Sequence, residues 1–147
     1  MAPVVSSIEI ARPPEDVFSY ATDPSRLPEW QESVVSTRIE ESGPPGGGSR
    51  VTLTRRVGRG ERTMTSEVTV SPPSSWAVRG VDGPIRGMVK GNVESLDDNA
   101  RSRVTIELDF EGHGIGKLLV PLVVRRQAQK ELPTNLQNLK ERLESGT

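Results

Sequence analysis

The apolar residues of this chain change their period once, and the change falls after Phe110. Val104, Ile106, Leu108 and Phe110 occupy every second position, with Thr105, Glu107 and Asp109 between them. Such alternation marks a strand with one buried and one wet face. Beyond Gly112-His113-Gly114-Ile115-Gly116, the residues Leu118, Leu122, Val123, Ala128, Leu132, Leu136, Leu139 and Leu143 recur at helical spacing. A run of strands followed by one long amphipathic helix has two apolar faces to hide, and laying the helix on the sheet hides both. Pro121 sits near the helix start, where proline is tolerated. Pro133 sits inside it and is expected to kink it.

Upstream segments supply the rest of the sheet. Val4 to Ile10 reads as a strand. Pro13-Pro14-Glu15-Asp16 opens a helix, with proline in the first turn and carboxylates at the positive end of its dipole. Asp23-Pro24 opens a second, short helical turn carrying Leu27 and Trp30. Val34 to Glu40 and Val51 to Val57 are strand-like, and the glycine-rich Ser42 to Ser49 between them reads as a hairpin loop. Met64, Ser66, Val68 and Val70 share one face of the next strand. Trp76 and Val78 lead to the turn dipeptide Asp82-Gly83, and Ile85, Val89 and Val93 alternate up to Asp97-Asp98-Asn99. The predicted order is strand, two short helices, six strands and one terminal helix. Strands joined by short turns make an antiparallel meander. The expected fold is α+β: a curved sheet of about seven strands wrapped around a long C-terminal helix. A strongly bowed sheet cannot close on a single helix along its whole length, so an apolar cavity is expected between them.

Composition narrows the chemistry. The 147 residues include no cysteine, which excludes disulfides, thiolate nucleophiles and Cys-based metal sites, and the single His113 excludes His-rich ones. No metal or cofactor is expected. The net charge of −1 argues against a nucleic-acid partner, which usually meets a basic surface. Residues 1–49 carry three basic and eight acidic side chains, so the chain is acidic first and basic later. This asymmetry fits either a solvated surface or an interaction face. The most apolar window, Leu118 to Val124, is too short to span a bilayer. The start of the chain lacks an export signal, and a cytoplasmic location is expected.

The order of these segments resembles the START/Bet v 1-like (SRPBCC) superfamily with its helix-grip fold, and within it the bacterial polyketide cyclase/dehydrase-like proteins. The resemblance rests on the opening strand running into Pro13-Pro14-Glu15-Asp16-Val17-Phe18, on Ala21-Thr22-Asp23-Pro24 with Leu27-Pro28-Glu29-Trp30, on the glycine-rich Gly43 to Gly48, and on the closing helix through Leu139 to Glu144. It covers residues 1–147 as one START/Bet v 1-like domain. It implies a hydrophobic cavity for lipids, polyketides or similar molecules. Some members of the superfamily catalyse cyclisation or dehydration, and others only bind or carry their ligands.

Candidate site residues follow from the apolar faces. Trp30, Leu53, Met64, Trp76, Ile106, Leu108, Phe110, Leu119 and Val123 are candidates for the cavity wall, and each also serves as core. Arg55 and Arg56 are adjacent on a strand, so at most one points inward. An inward Arg55 needs a ligand or a carboxylate to offset its burial. His113 and Tyr20 are the candidates for proton chemistry, and neither has an evident partner in sequence. The Leu132, Leu136, Leu139, Leu143 stripe either packs on its own sheet or pairs two protomers, so monomer and homodimer both stand. The leading function is binding or carriage of a small hydrophobic molecule such as a lipid or polyketide. A polyketide cyclase or dehydratase is the alternative, and a protein-interaction or toxin–antitoxin-type regulator without ligand is a further one.

Overall fold

A computed structural model of the chain describes residues 3–41, 49–57, 59–81 and 85–145. The elements follow in the order β1 (Val4–Ile10), α1 (Pro14–Ala21), a 3-10 turn (Pro24–Arg26), α2 (Leu27–Trp30), then β2 (Val34–Glu41), β3 (Ser49–Val57), β4 (Gly60–Ser71), β5 (Ser75–Gly80), β6 (Ile85–Leu96) and β7 (Arg101–Gly112). A short α3 (Gly116–Leu119), a π-helical turn (Val120–Val124) and the long α4 (Arg125–Glu144) complete the chain. All seven strands form one antiparallel sheet in the order β1-β7-β6-β5-β4-β3-β2. This is the helix-grip arrangement expected from the change of period. The glycine-rich segment 42–48, Gly58 and the Asp82-Gly83 dipeptide lie outside the described residues.

Local chemistry accounts for the element boundaries. Pro14 and the carboxylates Glu15 and Asp16 occupy the first turn of α1. Asp23 caps the 3-10 turn by accepting from the Ser25 backbone N–H at 3.0 Å. Asp97, Asp98 and Asn99 take positive φ in the β6–β7 turn, a conformation these short polar residues tolerate best after glycine. β2 is an edge strand, and its pairing with β3 is broken by register shifts between Val34 and Ser36 and between Ile39 and Glu41.

The terminal helix differs from the expectation at its start. It begins as α3, passes through the π turn at Pro121, and only then becomes regular. Pro133 lies inside α4, as expected, and the helix runs on past it to Glu144. Pro133 and Gln129, whose carbonyl loses its usual donor, are both on the exposed side, so water can take up that carbonyl. The π turn keeps Val120 and Val124 together against Ile85 and Phe110.

The α4 stripe of Ala128, Leu132, Leu136, Leu139 and Leu143 is buried within the chain. It packs with Ile10, Val17, Val104 and Trp30 into the main core. The stripe is therefore occupied by the chain's own β1, α1 and α2. Polar groups fix the end of α4 to β1. Glu144 Oε2 accepts from the Ala11 N–H at 2.8 Å and from Lys140 Nζ at 2.7 Å, and Lys140 Nζ also donates to the Glu9 carbonyl at 2.9 Å. Arg12 Nη1 donates to the Leu143 carbonyl at 2.7 Å.

One glycine is demanded by its surroundings. Gly91 lies directly opposite Trp76, and a Cβ at Gly91 would fall 2.1 Å from the indole ring. Trp76 in turn stands edge-on to Phe18, with ring centroids 6.2 Å apart. A Gly91→Ala substitution is expected to destabilise the protein by about 1–3 kcal/mol through overpacking. The Trp76→Leu change should relieve most of that loss in the double variant, which a denaturant-unfolding cycle measures directly. A second expectation concerns acid. The Lys140 ammonium, and after it the Ala11 N–H, hold the Glu144 carboxyl below the usual carboxylate range. A carboxylate depressed in the folded state contributes stability above its unfolded-state value and loses that contribution as pH falls through its lowered value. Unfolding midpoints measured down the acid range should therefore fall less steeply for Glu144→Gln than for the parent chain.

Candidate ligand cavity

Strand alternation decides which side chains meet beneath the helix. Val51, Leu53 and Arg55 point to the concave side of β3, and Met64, Ser66 and Val68 do so from β4. Trp76 and Val78 on β5, Val89 on β6, and Ile106, Leu108 and Phe110 on β7 continue the same face. These residues, with Trp30, Val124, Ala128 and Leu132 on the helical side, enclose a cavity of about 170 Å³. Gly87 lies in its wall opposite Phe110. The lining is predominantly aliphatic and aromatic, as in sites that hold small apolar molecules.

Of the residues singled out from sequence, Trp30, Leu53, Arg55, Met64, Trp76, Ile106, Leu108 and Phe110 all line this space. The side chain of Leu119 is outside the described residues. Val123 is not in the wall; Val124 is, turned inward beside Val120 by the π turn. Tyr20 and His113 are also elsewhere. Tyr20 is buried behind the wall, where its hydroxyl donates to Glu29 Oε1 at 2.7 Å and the Arg26 guanidinium lies 4.9 Å above its ring. Burial, then the Glu29 hydrogen bond and charge, raise its pKa. His113 lies on the turn after β7, with Nε2 2.7 Å from Glu111 Oε1. Among the described residues, no group of three or more His, Asp or Glu is placed to hold a metal ion.

A small polar cluster interrupts the apolar wall where the loop between α2 and β2 meets β3 and α4. Arg55 Nη1 donates to Ser33 Oγ at 2.9 Å and Nη2 to Gln31 Oε1 at 3.1 Å. The neighbouring Arg56 is exposed on the other side of the strand and donates to the Glu32 carbonyl at 2.8 Å. Gln127 bridges the Arg56 carbonyl, at 2.7 Å, and Glu131 Oε1, at 3.0 Å. Asn135 Oδ1 accepts the Glu32 N–H at 3.0 Å. Desolvation lowers the pKa of Arg55, and the charge of Glu131 offsets part of that effect. Arg55 keeps partial accessible surface although its head is withdrawn from bulk water, which fits a side chain that faces the cavity. The guanidinium remains charged, because no protein environment deprotonates it.

Gln31, Ser33, Glu131 and Asn135 were not evident as site residues from sequence. Asn135 carried a usable signal: it falls between Leu132 and Leu139 on the helix face that is otherwise apolar, and it is 6% exposed. Gln31 and Ser33 carried none, since they belong to a short loop whose direction depends on the tertiary fold.

The sequence matches the family described as polyketide cyclase / dehydrase and lipid transport over residues 1–144. The chain belongs to that family. No curated protein matches it. Among solved structures, it is similar to TTHA0849 from Thermus thermophilus, with 21% identity, a TM-score of 0.81 and 99% of each chain covered. It is also similar to the Zhui aromatase/cyclase from Streptomyces sp. R1128, with 18% identity and a TM-score of 0.77, over 96% of this chain and 94% of that one. A START superfamily protein from Mycobacterium smegmatis aligns with 16% identity and a TM-score of 0.76, over 97% and 99% of the two chains. At these identities the structural likeness speaks to the shared fold, and the family assignment rests on the sequence match.

The buried cation makes a prediction about this family member's stability. Arg55 is withdrawn from water with two neutral partners, and an apolar side chain of similar length would carry no such desolvation cost. Arg55→Met is expected to keep the unfolding free energy within about 1 kcal/mol of the parent or to raise it, as read by denaturant titration.

Proposed function

We propose that the chain binds a small hydrophobic molecule in the cavity between the sheet and α4. The observation that carries this reading is the apolar space itself, bounded by Val124, Ala128 and Leu132 on the helical side and by five strands on the other. Burial of an apolar ligand there contributes about 25 cal/mol per Å² of surface removed from water. The family description, which names both cyclases and lipid transport, supports a hydrophobic ligand of this kind. An aromatase/cyclase neighbour keeps a catalytic alternative in view. Binding is favoured because both side chains singled out for proton chemistry, Tyr20 and His113, are outside the wall. Among the described residues no helix is long and apolar enough to cross a membrane, so the reading involves none spanning one.

The two tryptophans of the chain, Trp30 and Trp76, both line the cavity and report directly on its contents. Titration with a small neutral aromatic such as benzyl alcohol is expected to change tryptophan emission saturably. Gly87→Leu tests the location. A Cβ at Gly87 would lie 3.7 Å from the Phe110 ring, an ordinary contact, so a leucine there extends over Phe110 into the space. This variant should fold as the parent does and bind at least about tenfold more weakly. Unchanged affinity in Gly87→Leu, or no saturable signal from any small apolar compound in the parent, would sink the reading.

A further inference from the structure

The polar end of the cavity has hydrogen-bond donors in excess of acceptors. A guanidinium offers five N–H donors, and Arg55 directs two of its contacts to the neutral oxygens of Ser33 and Gln31. It forms no ion pair within 4.0 Å among the described residues, whereas Arg12, Arg50, Arg79, Arg101 and Arg103 each pair with a carboxylate nearer the surface. Trp30, 2% exposed and part of the same wall, has an indole N–H without an acceptor among the described residues. Asn135 uses its amide oxygen on the Glu32 N–H, which leaves its NH₂ as a further donor. The one carboxylate among the described lining residues is Glu131, on α4, and it already accepts from Gln127.

A buried cation held only by neutral oxygens, in a wall with spare N–H donors, is complemented by an acceptor-only anion with two oxygens, which matches the guanidinium fork in shape and charge. The rest of the wall takes only apolar surface. The volume bounds the body of such a ligand. A dry cavity of roughly 150 Å³ accommodates a single aromatic ring, and this one measures about 170 Å³. We infer that the ligand is a small apolar monocarboxylate, an arenecarboxylate or a medium-chain fatty acid, whose carboxylate sits on the Arg55 guanidinium. This inference rests on the cavity-binding reading above and adds the chemical class of what is bound. Glu131 faces the same space and repels an anion, so the carboxylate is placed on the Arg55 side, toward Ser33 and Gln31.

Calorimetric titration of the parent chain and of Arg55→Met with octanoic acid, octanol and methyl octanoate tests it near neutral pH. The parent is expected to bind the acid about tenfold or more tightly than the alcohol and the ester, the usual worth of a charge-assisted hydrogen bond. Arg55→Met is expected to bind all three alike. A parallel titration with benzoic acid, whose single ring fits the volume, shows whether the body is aryl or alkyl, and tighter binding of either acid supports the inference. Equal affinities for acid, alcohol and ester in the parent would overturn it while leaving the cavity-binding reading intact. So would a preference for the acid that survives in Arg55→Met. If that variant loses octanol as well, the acid-to-alcohol ratio in the parent decides alone. Failure of all the compounds to bind the parent would overturn both this inference and the reading it rests on.

Discussion

The terminal helix leans on one margin of a bowed sheet. Its apolar stripe finds its main strand contact in β1, with α1 and α2 beside it, and the last turn is fastened there by Glu144, Lys140 and Arg12. Hydrophobic burial is satisfied along that margin. Trp76 of β5 and Val93 of β6 still join the stripe's core, whereas Val51 and Leu53 of β3 group with Val34 in a separate cluster. An aliphatic core closes tightly only when facing layers run parallel at the right separation. Here the core is divided into separate clusters, and the cavity lies between α4 and the side chains of β3 to β7 that line it.

The chain keeps polar groups in the gap where apolar ones would pack at less cost. Arg55, Gln31, Ser33, Gln127, Glu131 and Asn135 form a linked set across three elements, two of them satisfying backbone groups of residues 32 and 56. A buried set of this kind gives orientation more than stability. Gly87 and Gly91 work in the same direction. Gly91 admits the Trp76 ring, and Gly87 leaves the Phe110 ring uncovered toward the space.

How much of this was legible in the sequence depends on the range of the interaction. Strand alternation placed Ile106, Leu108 and Phe110 on one face with Leu53 and Met64, because side-chain direction in a strand has a fixed period. The order of elements was readable for the same reason. The π turn was hidden, since one extra residue per turn leaves the apolar spacing almost unchanged, and that single residue separates Val123 from Val124. Pro133 was legible as a helix-interior proline, and its position on the solvent-facing side of α4 leaves the buried stripe unbroken. The polar cluster was mostly beyond reach. Gln31 and Arg55 are separated in sequence by a whole hairpin, and only the sheet register brings them together.

The interrupted pairing of β2 bears on how this protein keeps to itself. An outermost strand offers unsatisfied backbone groups to any passing chain, and Val35 and Ile39 add exposed apolar side chains there. Two register shifts within eight residues twist that rim out of line. A second strand arriving from outside would find no straight row of donors and acceptors to zip against, so the irregularity acts as a guard against aggregation.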